Sequence, residues 1–141
     1  MLGVEPGSTQ ELKALNLLEE LGAKRLVRSL KSSLDTKVSS AELSLSERRT
    51  VSCVRGIMAE APLVLFDDPT TDLGRGASER RVRSVLDACK GRTVLATFSR
   101  HPPQGLFDRV IVLRNAKIIE DSESSLLTAE SQEDMFEVKK I

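Results

Sequence analysis

Apolar residues return every third or fourth position in four stretches of this chain and run consecutively in three others, with polar, Gly- and Pro-bearing segments between them. The first periodic stretch starts after Ser8, which with Glu11 has the spacing of a helix-capping box. Leu12, Leu15, Leu18 and Leu21 follow at i, i+3 and predict one apolar stripe, ended by Gly22, a residue that tolerates the left-handed helix stop. A second short helix is expected from Ala23 to Ser32 on Leu26 and Leu30, then a Ser-rich loop over 32–42. Ser44 and Glu47 repeat the capping spacing and open a third helix, with Val51, Val54, Ile57 and Met58 on one face, ending near Ala61-Pro62.

Leu63-Val64-Leu65-Phe66 is a short unbroken apolar run, the pattern of a strand buried on both faces. It stops at Asp67-Asp68-Pro69. A turn-rich segment leads to a fourth helix over Ala77–Cys89, with Val82, Val85, Leu86 and Cys89 aligned. Gly91 breaks it, and Thr93–Phe98 reads as a second buried strand. Val110–Leu113 and Lys117–Glu120, separated by Arg114-Asn115-Ala116, read as a hairpin. The polar remainder leaves room for one amphipathic helix around Ser124–Phe136. Strand, helix and strand from 63 to 98 make one βαβ unit, so the class is α/β with a parallel sheet. In such sheets functional residues collect at the carboxyl ends of strands, here Asp67-Asp68 and Ser99–His101.

Composition narrows the functions. The 141 residues carry 21 Lys+Arg against 21 Asp+Glu, so there is no basic excess of the kind a generic nucleic-acid binder needs. Charge is uneven along the chain: residues 24–55 hold eight basic and three acidic side chains, and residues 120–141 hold two basic and seven acidic. Such runs usually form solvated faces or tails. The apolar runs are far short of the ~18–20 residues of a membrane span, and the first residues lack the basic and apolar regions of a signal peptide. Two cysteines, Cys53 and Cys89, cannot build a disulfide framework or a four-ligand zinc site; both lie in helical patterns and are expected as buried thiols of a cytosolic protein.

Two carboxylates directly after a buried strand suit Mg²⁺, which takes one or two carboxylates together with phosphate oxygens. They also suit a plain strand-ending turn. A receiver-type phosphoacceptor domain opens the same way, but it needs several further βα units, and here one helix and a hairpin follow.

A longer constellation decides between these. Leu43-Ser44-Leu45-Ser46-Glu47-Arg48-Arg49 precedes Leu63-Val64-Leu65-Phe66-Asp67-Asp68-Pro69-Thr70-Thr71-Asp72-Leu73-Gly74. Then come Gly91–Phe98, Leu106-Phe107-Asp108-Arg109-Val110 and Lys117–Asp121. In order and spacing this series resembles the C-terminal half of an ABC transporter ATP-binding domain: signature motif, Walker B, D-loop, switch-loop strand and closing hairpin. Glu47-Arg48-Arg49 and the Leu106–Val110 phrase look most like subfamily G, the white/pleiotropic-drug-resistance group. The resemblance implies a partial P-loop NTPase fold of ABC type: a helical-subdomain segment over 1–42, the signature/Walker B/switch-loop half of the core over 43–127, and an acidic tail over 128–141. It also implies Mg²⁺ and ATP as cofactors of the parent family. The implied partners are a second ATP-binding domain and a transmembrane domain, on the cytosolic side of a membrane, with no nucleic acid involved.

By the same resemblance Asp67 takes the Mg²⁺-binding role and Asp68 stands at the catalytic Glu position. Its shorter side chain should displace the carboxylate from its water by on the order of 1 Å, enough for a large rate loss. Ser44, Leu45, Ser46 and Glu47 form a degenerate signature in which Leu45 and Ser46 replace two glycines. Leu45 is expected to spoil the close backbone approach to phosphate that glycine permits. Gly74 replaces the D-loop Asp, and Ser99 falls at the switch-His position. His101, two residues on, is read as an exposed loop histidine, with a slip of the loop into the switch role as the alternative. No G-x-x-x-x-G-K-[ST] occurs in the chain, so the phosphate-cradling Walker A loop is missing. The expectation is a truncated or degenerate ATP-binding domain that neither hydrolyses ATP nor binds it tightly. The alternative is a non-catalytic module that pairs with a competent ABC domain.

Overall fold

The structure is a computed structural model that describes residues 5, 7–30, 34, 42–99 and 105–123. The elements run α1 (Thr9–Glu20), α2 (Lys24–Ser29), α3 (Leu45–Met58), β1 (Leu63–Asp67), α4 (Arg75–Ala88), β2 (Thr93–Thr97), β3 (Arg109–Arg114) and β4 (Lys117–Glu123). They form two compact units, Met1–Thr97 and Phe98–Ile141. The predicted helix of Ser124–Phe136, nearly all of the 32–42 loop, His101 and the 128–141 tail lie outside the described residues.

Local chemistry explains the helix ends. The Ser8 hydroxyl accepts from the Glu11 amide at 3.1 Å, half of the expected box. The Glu11 carboxylate turns instead to the amides of Gly7 and, at 2.9 Å, Leu34, and is buried there. At the other end Gly22 has φ of +99°, its amide donates to the Glu19 carbonyl, and the Ala23 amide donates to Leu18 at 2.8 Å. This pair of bonds is a Schellman stop, which satisfies carbonyls the helix would leave open. Arg92 closes two further helices, donating to Ile57 O of α3 at 3.0 Å and Ala88 O of α4 at 2.9 Å, where a cation also complements the helix dipoles.

The α1 stripe is not the one the leucine spacing suggested. Leu12 is 62% exposed, while Ala14, Leu17, Leu18 and Leu21 are buried. The inward face follows i, i+3, i+4, i+7, and a strict i+3 run drifts around a helix of 3.6 residues per turn. Those residues pack with Leu26 of α2, Cys53, Val54 and Ile57 of α3, Val64 and Phe66 of β1, and Val85 and Cys89 at α4. Both cysteines are buried free thiols, as expected, and burial raises the pKa of each.

β1 and β2 pair in parallel from Leu63↔Thr93 to Asp67↔Thr97, with α4 between them in sequence. The expectation of a strand buried on both faces fails for β1. Val64 and Phe66 face the helices, whereas Leu63 and Leu65 are 51% and 66% exposed, as is Leu95 of β2 at 56%. Successive side chains alternate across a sheet, and in this chain the helices cover one side of it.

In the second unit β3 and β4 form the expected antiparallel hairpin, longer than predicted at both outer ends and bulged between Val112 and Leu113. Phe98 and Phe107 meet edge to face with centroids 5.6 Å apart. The loop residues Asn115 and Ala116 both take positive φ, +48° and +59°, the two-residue turn that suits the twist of a hairpin. Alanine carries a steric cost there that glycine does not. Ala116→Gly is therefore expected to stabilise the hairpin by about 1 kcal/mol, read as slower amide exchange across Val110–Asp121; unchanged or faster exchange would count against the turn assignment.

Candidate functional site

Two turns of the first unit hold the residues singled out by sequence. One is the start of α3. Ser44 is its N-cap, and its hydroxyl accepts from the Glu47 amide at 3.2 Å. The Glu47 carboxylate reaches back to the Ser44 amide and hydroxyl, each at 2.8 Å. The hydrogen bond from the Ser44 side chain is the main reason that Glu47 sits below the usual carboxylate pKa. A helix start is ordinarily an anion site because its first amides have no internal partner. Here the Glu47 carboxylate satisfies the Ser44 amide and the Ser44 hydroxyl satisfies that of Glu47, the reciprocal bonds of a capping box. Leu45 is 52% exposed beside it, adding an isobutyl group at the mouth.

The other turn is at the carboxyl end of β1. Asp67, its last residue, is exposed. Its Oδ1 accepts the Thr97 hydroxyl at 2.6 Å across the parallel register. The Asp68 amide donates to both the Thr97 carbonyl and Oγ1, each at 3.1 Å. Asp68 itself has φ of +43°, a left-handed conformation that Asp adopts more readily than most side chains. Asp67 suits a contributed Mg²⁺ ligand, one carboxylate with its neighbouring hydroxyl fixing its orientation. Among the described residues there is no group of three or more His, Cys, Asp and Glu that could hold a metal by itself. A cation bound here would need other oxygens, such as phosphate.

Joining the two turns is a residue that the sequence reading passed over. Arg81 of α4 is only 4% exposed. One end nitrogen donates to Leu21 O at 3.0 Å, Thr50 Oγ1 at 3.0 Å and Ser46 Oγ at 3.4 Å. The other donates to Pro69 O at 3.2 Å and lies 3.8 Å from the Asp72 carboxylate. Asp72 also receives Arg49 of α3 at 3.3 Å. Burial pulls the Asp72 pKa upward, but hydrogen bonds from Ser46, its own backbone and Arg49, with the charge of Arg81, leave it below the ordinary value. Burial lowers the Arg81 pKa, and Asp72 opposes the shift; an arginine stays cationic under such a balance. The signal in the sequence is positional: Arg81 stands four residues before the buried Val85 and eight before Cys89, on the inward face of α4. A cation at such a position calls for partners.

Gly74, at the D-loop Asp position, is the N-cap of α4 and offers no side-chain cap. Ser99, which the resemblance puts at the switch position, is exposed and belongs to the second unit.

No protein-family profile matches the chain. Individual proteins do. The glutathione/L-cysteine transport system ATP-binding/permease protein CydC of Escherichia coli strain K12 is 27% identical over 129 residues, 92% of this chain and 22% of that protein. The toxin RTX-I translocation ATP-binding protein of Actinobacillus pleuropneumoniae is 27% identical over 89% of this chain and 18% of its own length. An ATP-dependent lipid A-core flippase of Burkholderia thailandensis is 32% identical over 117 residues, 81% of this chain and 18% of that protein. The chain thus spans about a fifth of the length of the relatives it matches. A solved ATP-binding cassette of an ABC transporter superimposes with a TM-score of 0.58 at 25% identity, covering 79% of this chain and 42% of the cassette. Its ADP conformation gives 0.61 over 89% and 48%, at 21% identity, a likeness of fold alone.

Proposed function

We propose, from a chain whose relatives and fold are those of an ABC-transporter ATP-binding domain, that it is the signature-to-hairpin part of such a domain in a form that does not hydrolyse ATP. Residues 1–42 correspond to a helical-subdomain segment, 43–127 to the back half of the ATPase core and 128–141 to an acidic tail. In the parent, two such domains close on ATP and drive a transmembrane partner from the cytosolic side of the membrane. Among the described residues no helix is long and apolar enough to cross one. Export of lipids or other hydrophobic compounds is the transport class we favour, and the lipid A-core flippase among the relatives supports it. The subfamily-G assignment rests only on Glu47-Arg48-Arg49 and Leu106–Val110, and the relatives quoted carry other names. We therefore hold the proposal at the level of an ABC exporter.

The observation that supports the reading is the exposed Leu45 at the start of α3, an isobutyl group where the resemblance expects a glycine. Asp67 remains available to Mg²⁺, Asp68 and Ser99 stand for the catalytic Glu and switch His, and the chain contains no Walker A. A purified chain is expected to release no phosphate from Mg-ATP above background. Turnover abolished by Asp67→Ala would overturn the proposal. The second reading, a pseudo-ATPase that pairs with a competent domain, is favoured by the open face of Leu63, Leu65 and Leu95, an exposed apolar patch of the kind interaction surfaces present.

A further inference from the structure

We infer that Arg81 is the positioning residue of the carboxylate turn, holding the backbone after Asp68 in a register set by the first turn of α3. The two turns are separate in sequence, and the carboxylate turn is the irregular one. Asp68 sits in the left-handed region immediately before Pro69, a conformation that persists only when its surroundings over-determine it. Thr97 fixes the turn from the strand side through the Asp68 amide. From the helix side the Pro69 carbonyl and the Asp72 carboxylate bracket the other end, and one guanidinium nitrogen of Arg81 meets both, at 3.2 and 3.8 Å.

The second guanidinium nitrogen is committed elsewhere. It bonds Ser46 and Thr50, one turn apart on α3, and the Leu21 carbonyl at the end of α1. A guanidinium is planar and rigid, so its two ends cannot shift independently. Displacing the first turn of α3 therefore turns the plane that holds Pro69. Asp72 strengthens the link because its carboxylate also binds Arg49, one residue before Thr50. The Arg81 Nε is buried without a partner, a cost that the arrangement tolerates while the other two nitrogens make their bonds. None of this requires a nucleotide. In the terms of the reading above, it ties the signature segment to the turn of Asp67 and Asp68 within one chain, and it stands or falls separately from that reading.

A double-mutant cycle tests it. Thr50→Val and Asp72→Asn each remove one partner of Arg81, and the two are combined and unfolded in urea at low protein concentration. The expected effect of the pair on the unfolding constant departs at least fivefold from the product of the single effects, as for residues in one network. Arg81→Lys, whose single ammonium cannot meet all these groups, should bring that factor toward one. If Arg81→Lys does not fold, the cycle in the native background decides alone. A second readout separates positioning from general packing: Thr50→Val should move the amide resonances of Asp68 and Leu73, whereas Val85→Ala should leave them in place. Effects that multiply within twofold would overturn the inference, and so would an Asp68 amide that Thr50→Val does not move.

Discussion

Arg81→Met is expected to lower the stability of the first unit by about 3–5 kcal/mol, the range found when one partner of a buried ion pair is removed. The loss has little to do with the pair's own attraction, which desolvation largely offsets. It comes from what stays behind. Asp72, with its side chain 14% exposed, would keep Arg49 as its cation. The carbonyls of Leu21 and Pro69 and the hydroxyl of Thr50 would lose a donor in a site water reaches poorly, and unmet buried groups cost about 1–3 kcal/mol each. Methionine fills most of the volume, so a cavity adds little. Urea unfolding at two protein concentrations measures this, the second excluding a change in association. The contrast is Arg83→Met on the same helix: its partner Glu79 lies at i−4 with both side chains about half exposed, and such pairs contribute about 0.3–0.5 kcal/mol. Equal effects of the two substitutions would contradict the burial of Arg81.

Leu18→Ala should cost about 2–5 kcal/mol, the usual range for a buried leucine, and should do so in a single transition. Leu18 is 1% exposed in the same core as Val54, Ile57, Val64 and Phe66. The resemblance places it in a helical-subdomain segment ending at residue 42, apart from the core half that begins at 43. The compact unit that holds it runs to Thr97. If residues up to Thr97 melt together, the variant loses signal from α1 and from the β1–β2 pair at the same urea concentration, with an unchanged slope. Two separated transitions would show that α1 and α2 fold apart from β1 and β2, and that the Leu18 contacts across them contribute little.

Much of the fold was legible in residue order. The capping box at Ser44, half of the one at Ser8 and the stop at Gly22 are short-range features, written by side chains within a few residues of the backbone groups they satisfy, and the βαβ unit and the hairpin were legible from the order of their apolar runs. Faces were less legible. The leucines of α1 misled because Leu is apolar whichever way it points, and burial is decided by what lies opposite. Leu63 and Leu65 misled for the same reason: an unbroken apolar run shows that a strand can be buried on both faces, not that this chain covers both.

The site divides along the same line. By itself the sequence determined which groups are present: the carboxylates of Asp67 and Asp68, leucine and serine at 45 and 46, and no phosphate loop motif. Only the tertiary structure decided how they are held. Thr97 meets Asp67 from 30 residues away, and Arg81 gathers Leu21, Ser46, Thr50, Pro69 and Asp72 from three other segments. A buried cation must find its partners wherever the chain brings oxygen atoms within reach, and that reach is measured through space, not along the sequence.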